Sequence, residues 1–285
     1  MKITQSLLFV CFVYVLVLFS GQSGKADDSV PPQAGTLTNT PAVAGGAAMV
    51  VVSNGVAGND LSSAQILEKA REKYASLTTY GDEGWVVSTL NDTVINTSFT
   101  IRLARTNFYW IGWQQSVESL VSTNNIGLEA AWSSGAGDFL DAGLGPQNEE
   151  STEIALAKAS ENSGGAAVTI PRTFFNIPWG DQLGDAWSVH DRLADENVGG
   201  VDCYVLSTEL QGRTRTLWIG RQDYLIHQVR TVTSADAMRE MLTAASNGND
   251  ELISGIQSLT LTETHTNIIV NKPYARADFI PSNGE

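Results

Sequence analysis

Strand-length segments joined by connections of two or three residues dominate this chain from residue 80 onward. Connections that short force antiparallel neighbours, because a parallel crossover needs a dozen residues or more. Residues 80–90 lead into a turn at Asn91-Asp92-Thr93, and residues 94–105 alternate Phe99, Ile101 and Leu103 with Thr100, Arg102 and Ala104. Residues 107–115 carry Phe108, Tyr109, Trp110, Ile111 and Trp113, and a fourth segment, 128–133, carries Trp132. The pattern resumes over 187–194, 201–210, 213–220 (with Trp218) and 224–233, and closes over 258–270. Gly199-Gly200, Gln211-Gly212 and Arg221-Gln222-Asp223 supply the turns.

Helical spacing occupies the gaps. Ser62 and Gln65 can close a capping box, and Leu67, Ala70, Tyr74 and Leu77 recur at intervals of three and four, so a helix should end near Ser76. Residues 152–161 have high helix propensity. After Gly164-Gly165, Pro171 and Pro178 bracket a short, very apolar helix bearing Phe174, Phe175, Ile177 and Trp179. A further helix over 235–245 turns Met238, Met241 and Leu242 inward. About nine strands with a few short helices, and no repeat period, predict one α+β domain over residues 61–285.

The chain ahead of that domain reads as an export leader and a tether. Lys2 precedes an unbroken apolar run over 7–19, and small and polar residues follow as far as Ala26. A spanning helix needs about 20 apolar residues, so this run predicts a signal peptide over 1–26 and no stable membrane anchor in the mature chain. The expected location is periplasmic or secreted. Residues 27–60, with Pro31, Pro32 and Pro41 among small polar residues, read as a disordered linker. Losing Lys2 and Lys25 would take the net charge from −14 to about −16, a surface that disfavours nucleic acid and anionic headgroups. Cys203 would then be the sole cysteine, on a strand, and a buried inert thiol is expected there.

No catalytic signature is present. The chain lacks Gly-x-Ser-x-Gly, His-Glu-x-x-His and a phosphate loop, and Leu140 stands where a dinucleotide fingerprint beginning at Gly135 needs its third glycine. Asp138 with Asp141, and Asp181 with Asp185, lie in glycine-rich stretches and read as solvated carboxylates. His190, His227 and His265 fall on separate strands without ligand spacing and read as ordinary strand histidines. Neither a cofactor nor a metal is expected.

The order helix, strands, two helices, strands resembles the LolA/LolB-like family of periplasmic lipoprotein carriers, nearest its outer-membrane lipoprotein-sorting or DUF2092-type branch. The residues that carry the resemblance are Ile66, Leu67, Ala70, Tyr74, Leu77, Tyr80, Asp82 and Gly84. A second set is Gly200-Val201-Asp202-Cys203-Tyr204-Val205-Leu206 with Leu217-Trp218-Ile219-Gly220, and a third is the closing Asp278-Phe279-Ile280-Pro281. Together they span most of residues 61–281. The resemblance implies an open, curved antiparallel half-barrel whose concave side, closed by helices, takes acyl chains without chemistry. It implies an apolar lining drawn from Phe99, Ile101, Leu103, Phe108, Trp110, Trp132, Phe174, Phe175, Ile177, Trp179 and Trp218. It also implies that Arg105, at the end of the second strand, locks a lid. The alternatives are a solvated hairpin arginine for Arg105 and an ordinary core helix for the Phe174 segment. The expected partners are lipid or lipoprotein acyl chains and an envelope protein. An envelope sensor on the same fold, or an exported hydrolase with an unrecognised site, are the competing functions.

Overall fold

The computed structural model describes residues 61–105, 107–119, 122–134, 138–141, 145–148, 151–177, 183, 190–246 and 255–280. The leader, the linker, Trp179, Asp181 and Asp185 lie outside the described residues.

The chain enters through helix α1 (Ser63–Ser76), where the Ser62 side chain accepts from the Gln65 N–H while the Gln65 side chain accepts from the Ser62 N–H. Ile66, Leu67, Ala70 and Tyr74 are its buried stripe. Four strands follow: β1 (Thr79–Leu90), β2 (Thr93–Ala104), β3 (Phe108–Ser119) and β4 (Ser122–Ser134). A small hairpin, β5 (Asp138–Asp141) with β6 (Gly145–Asn148), precedes helices α2 (Thr152–Asn162) and α3 (Ile170–Phe175). Short strands β7 (Asp191–Arg192) and β8 (Glu196–Val198) lead to β9 (Val201–Leu210), β10 (Arg213–Gly220) and β11 (Ile226–Thr233). Helix α4 (Ala235–Ser246), β12 (Leu259–Val270) and a 3-10 turn at Arg276–Phe279 complete the domain.

Ten of these strands form one open antiparallel sheet in the order β4-β3-β2-β1-β12-β11-β10-β9-β7, with β8 beside β9. The last long strand therefore pairs with the first, joining the two halves that the helices separate in sequence. Sheets this wide curl. Register shifts between Gly81 and Glu83, Trp113 and Gln115, and Trp218 and Ile219 mark irregular pairing of the kind that sharpens the bend. The fold is an α+β half-barrel, the architecture that the LolA/LolB-like resemblance implies.

Cross-strand register assigns the faces. Leu103 sits opposite Tyr80 and Tyr109, Ile101 opposite Asp82 and Ile111, and Phe99 opposite Gly84 and Trp113. These side chains join Leu206, Leu217, Ile219 and Val229 from the far half, and α1, α2 and α3 from above, in one buried core on the concave side. The link from α2 to α3 reaches the sheet through Gly164 (φ +59), where a Cβ would lie 2.5 Å from the Thr97 hydroxyl and 2.4 Å from the Gln115 amide. A second, smaller core under α4 gathers Leu90, Met238, Leu242, Ile256 and Leu259 at one end of β1 and β12.

The outer face has its own cover near both edges. Phe279 lies 5.5 Å from Phe108, and Arg102 holds its guanidinium 4.8 Å from the Trp110 ring. On the β9 side Cys203, Val205 and Trp218 pack together, and the Trp218 indole N–H donates to Glu196 at 2.8 Å. Cys203 is fully buried, and burial pushes its thiol up to about 12, with Asp223 adding to the effect. The native protein should resist a thiol reagent such as DTNB at pH 8 and react fully once unfolded in urea. Rapid native labelling would contradict this packing.

Candidate ligand site

Helix α3 is one of three helices over the concave side, and its short length explains why it needs outside help. Six residues are too few for a self-supporting helix, and its ends leave backbone groups unpaired. Asn176, left-handed at φ 54, ends it; the Ile177 N–H returns to the Arg172 carbonyl at 3.0 Å. The Phe174 carbonyl then points outward, where Arg105 Nη1 donates to it at 2.6 Å.

Arg105 does more than that single contact. Its Nε donates to the Leu77 carbonyl at 2.9 Å and Nη2 to the Tyr74 carbonyl at 2.7 Å, both at the end of α1. Its guanidinium also lies 4.3 Å from the Phe174 ring centroid. One planar fork therefore ties the last turn of α1 to the last turn of α3, a geometry that no single ammonium could reproduce. Partial burial lowers the Arg105 pKa from its ordinary value, yet the group stays cationic at any working pH.

The other end of α3 is tied to the sheet. Thr169, at the cap position, does not cap the helix; its hydroxyl donates instead to Glu263 Oε2 on β12. Next to Glu263 stands His265, whose Nδ1 lies 2.6 Å from Asp82 Oδ2 and whose Nε2 lies 3.2 Å from Glu263 Oε1. The Nε2 contact is within ion-pair range but too poorly aligned for a hydrogen bond. Tyr80 donates to the same Asp82 oxygen at 2.8 Å, and the Phe99 and His265 rings are 5.5 Å apart. The side chains of Asp82, Glu263 and His265 are essentially without solvent exposure. Burial alone would push the imidazole down, but the carboxylates of Asp82 and Glu263 outweigh it and raise His265 to about 10. Both ring nitrogens face carboxylate oxygens. Among the described residues no group of three or more His, Cys, Asp or Glu is placed to hold a metal ion.

The Thr169 hydroxyl donates to the Glu263 carboxylate rather than to the imidazole, the reverse of the direction in an activated nucleophile.

The sequence-predicted lining divides between the two faces. Phe99, Ile101, Leu103, Phe174 and Ile177 meet in the concave core, and Phe175 packs against it, 6.4 Å from the Tyr109 ring. Phe108, Trp110 and Trp132 share the outer face, where Trp110 sits opposite Trp132, and Trp218 is on that face at the β9 side. Arg105 reaches both α1 and α3. Tyr109, Ile111 and Trp113, whose parity follows from Leu103 once the hairpin register is known, join the concave core without having been singled out as lining by sequence, as does Ile170 of α3. Asp82, Glu263 and Thr169 were missed as a group, and His265 departs from the ordinary strand histidine expected of it. Asp138 and Asp141 bound β5 rather than a loop. A shallow hollow of about 270 Å³ on the outer face, lined by Trp85, Val87, Asn96, Ser98, Gln114 and Ser116, lies away from this cluster.

Together these features define a half-barrel in which a short apolar helix is held by polar contacts at both of its ends. The fold is similar to solved structures at 11% identity in each case. LprF from Mycobacterium bovis matches with a TM-score of 0.40 over 74% of this chain and 94% of its own. A LolA superfamily protein from Nitrosomonas europaea matches with a TM-score of 0.26 over 78% and 98%. The MucA/MucB complex of Pseudomonas aeruginosa matches with a TM-score of 0.35 over 77% of this chain and 60% of that chain. No protein-family model and no curated protein sequence matches this chain.

Proposed function

We propose that this protein is an exported, non-catalytic carrier that holds an acyl chain, free or on a lipoprotein, between the concave sheet and α3. The observation that carries the reading is the lid. An apolar helix too short to stand alone covers an apolar sheet face, and polar contacts at its two ends (Arg105 to Phe174, Thr169 to Glu263) hold it down. Such contacts can be broken and remade at modest cost, and the core area that Ile170 and Phe174 would give up on leaving is area that an acyl chain would cover in their place. With α3 raised, an acyl chain would take its place against Phe99, Ile101 and Leu103, with Phe174, Phe175 and Ile177 closing over it. A dozen methylenes at about 0.8 kcal/mol each supply about 10 kcal/mol before ordering costs, enough for a tight but reversible complex. No helix among the described residues is long and apolar enough to cross a membrane, and the reading of residues 1–26 as a signal peptide supplies the route to the envelope.

The test is titration with a fluorescent fatty acyl probe, with native mass spectrometry of protein purified from its envelope fraction. Saturable binding is expected, weakened about ten-fold or more in Phe175→Asp and unchanged in Trp110→Ala, which alters the outer face alone. Absence of saturable binding, or equal loss in both variants, would falsify the site.

A further inference from the structure

We infer that the floor beneath α3 is a polar socket that selects the ligand's head group, accepting an uncharged hydrogen-bond donor such as a hydroxyl or amide and turning away a free carboxylate. The inference rests on the acyl-binding reading above and adds a substrate class to it.

Donors and acceptors at the floor do not balance. His265 Nδ1 and the Tyr80 hydroxyl both serve Asp82 Oδ2, and the Thr169 hydroxyl serves Glu263 Oε2. Asp82 Oδ1 is buried and accepts no hydrogen bond, and Glu263 Oε1 has only the poorly aligned contact with His265 Nε2 at 3.2 Å. A buried acceptor left unmade is far more costly than a made bond is favourable, so the socket gains most from a ligand that brings donors. Two carboxylates face one imidazole, so acceptor oxygens outnumber donors at the floor. Two nearby guanidinium groups are engaged with other partners: Arg105 with the carbonyls of Tyr74, Leu77 and Phe174, and Arg172 with the Ser160 hydroxyl at 2.8 Å. A ligand carboxylate would therefore meet like charge in a low-dielectric site.

The lid makes the selection part of binding. Thr169 leads into α3, so raising the helix withdraws its hydroxyl from Glu263 and frees a third acceptor oxygen on the floor. A ligand hydroxyl or amide N–H replaces the Thr169 donor, and the apolar chain runs from there along Phe99 and Ile101. An acylglycerol or a fatty amide has this layout; a free fatty acid at neutral pH does not.

The experiment uses a chain-matched series, laurate, dodecanol, monolauroylglycerol and lauramide, each displacing a fluorescent acyl probe from the full-length mature protein at pH 8. Monolauroylglycerol and dodecanol should displace the probe at about ten-fold lower concentration than laurate, the effect of one net hydrogen bond. Glu263→Gln, which keeps side-chain size and brings its own N–H donors, should bring laurate to within about two-fold of the alcohol. Thr169→Ala, which frees the Glu263 oxygen permanently, should widen the gap and provides a second reading if Glu263→Gln folds poorly. Equal displacement by all four ligands, or a preference for laurate, overturns the socket while leaving the carrier reading intact. Failure of the probe itself to bind overturns the carrier reading first.

Discussion

Replacing Arg105 with leucine should loosen the lid and lower the melting temperature of the domain by about 10 °C. The substitution strips the donor from three carbonyls, those of Tyr74, Leu77 and Phe174, at the junction of α1 and α3. Each charge-assisted bond is worth about 1 kcal/mol once partial exposure lets water replace it, so about 3 kcal/mol is lost. For a domain of this size each kilocalorie shifts the melting temperature by about 2–4 °C. The functional signature matters more than the stability. With α3 released, an environment-sensitive dye such as ANS should bind at temperatures well below unfolding, and the acyl probe should associate faster. Arg105→Lys should recover little of either property, because one ammonium cannot span carbonyls on two helices. A melting curve and dye response like those of the parent would place the fastening of α3 elsewhere.

The second large effect is a stability that declines as the solution turns alkaline. His265 is ordinarily half-protonated near pH 6.5 in an unfolded chain, and in the fold its value is raised to about 10. A group whose folded value is raised stabilises fully below the unfolded value and loses that contribution as pH climbs through the folded one. Between about pH 6.5 and 10 the folded protein holds one more proton than the unfolded chain at this site. Stability should then fall by about 1.4 kcal/mol per pH unit from this group alone. Urea midpoints measured at pH 6, 7, 8 and 9 should show the decline. In His265→Phe the slope should flatten, even though the variant leaves Asp82 and Glu263 without their shared cation and is less stable throughout. Asp82→Asn should cost about 3–5 kcal/mol at pH 7, because it leaves a buried imidazolium poorly paired. Parallel pH profiles in the parent and His265→Phe would assign the alkaline loss to tyrosines and lysines instead.

Much of the fold is legible in sequence because its signals are local. The alternation in residues 201–210 and 213–220 marks β9 and β10 to the residue, and the Ser62/Gln65 pair marks the start of α1. Where the local signal weakens, the reading shortens. β3 runs on to Ser119 and β4 starts at Ser122, because Gln114 to Ser119 and Ser122 to Gly127 are mostly polar and lack the alternation that marks a strand in sequence. The β5–β6 hairpin has no apolar alternation to mark it in sequence. Phe108, Trp110 and Trp132 belong to the outer face for a reason no composition reveals: period-two geometry sends adjacent residues to opposite faces, and only the register against β2 says which parity is inside.

What the sequence by itself determined is the antiparallel pattern, the first helix, the short proline-led helix after Gly164-Gly165 and the absence of familiar catalytic motifs. These rest on spacings within a dozen residues. The tertiary structure alone decided which face is concave, that β12 returns to lie beside β1, and that this return sets His265 and Glu263 against Asp82, nearly two hundred residues earlier in the chain. It also decided where Arg105 points. Its place at the end of a strand can be read from the sequence, but the carbonyls it joins belong to two helices brought together only by burial of a common apolar face. A hydrogen-bonding partner distant in sequence leaves no periodic trace, and for that reason the carbonyls that Arg105 joins and the contact of Thr169 with Glu263 became visible only in the folded chain.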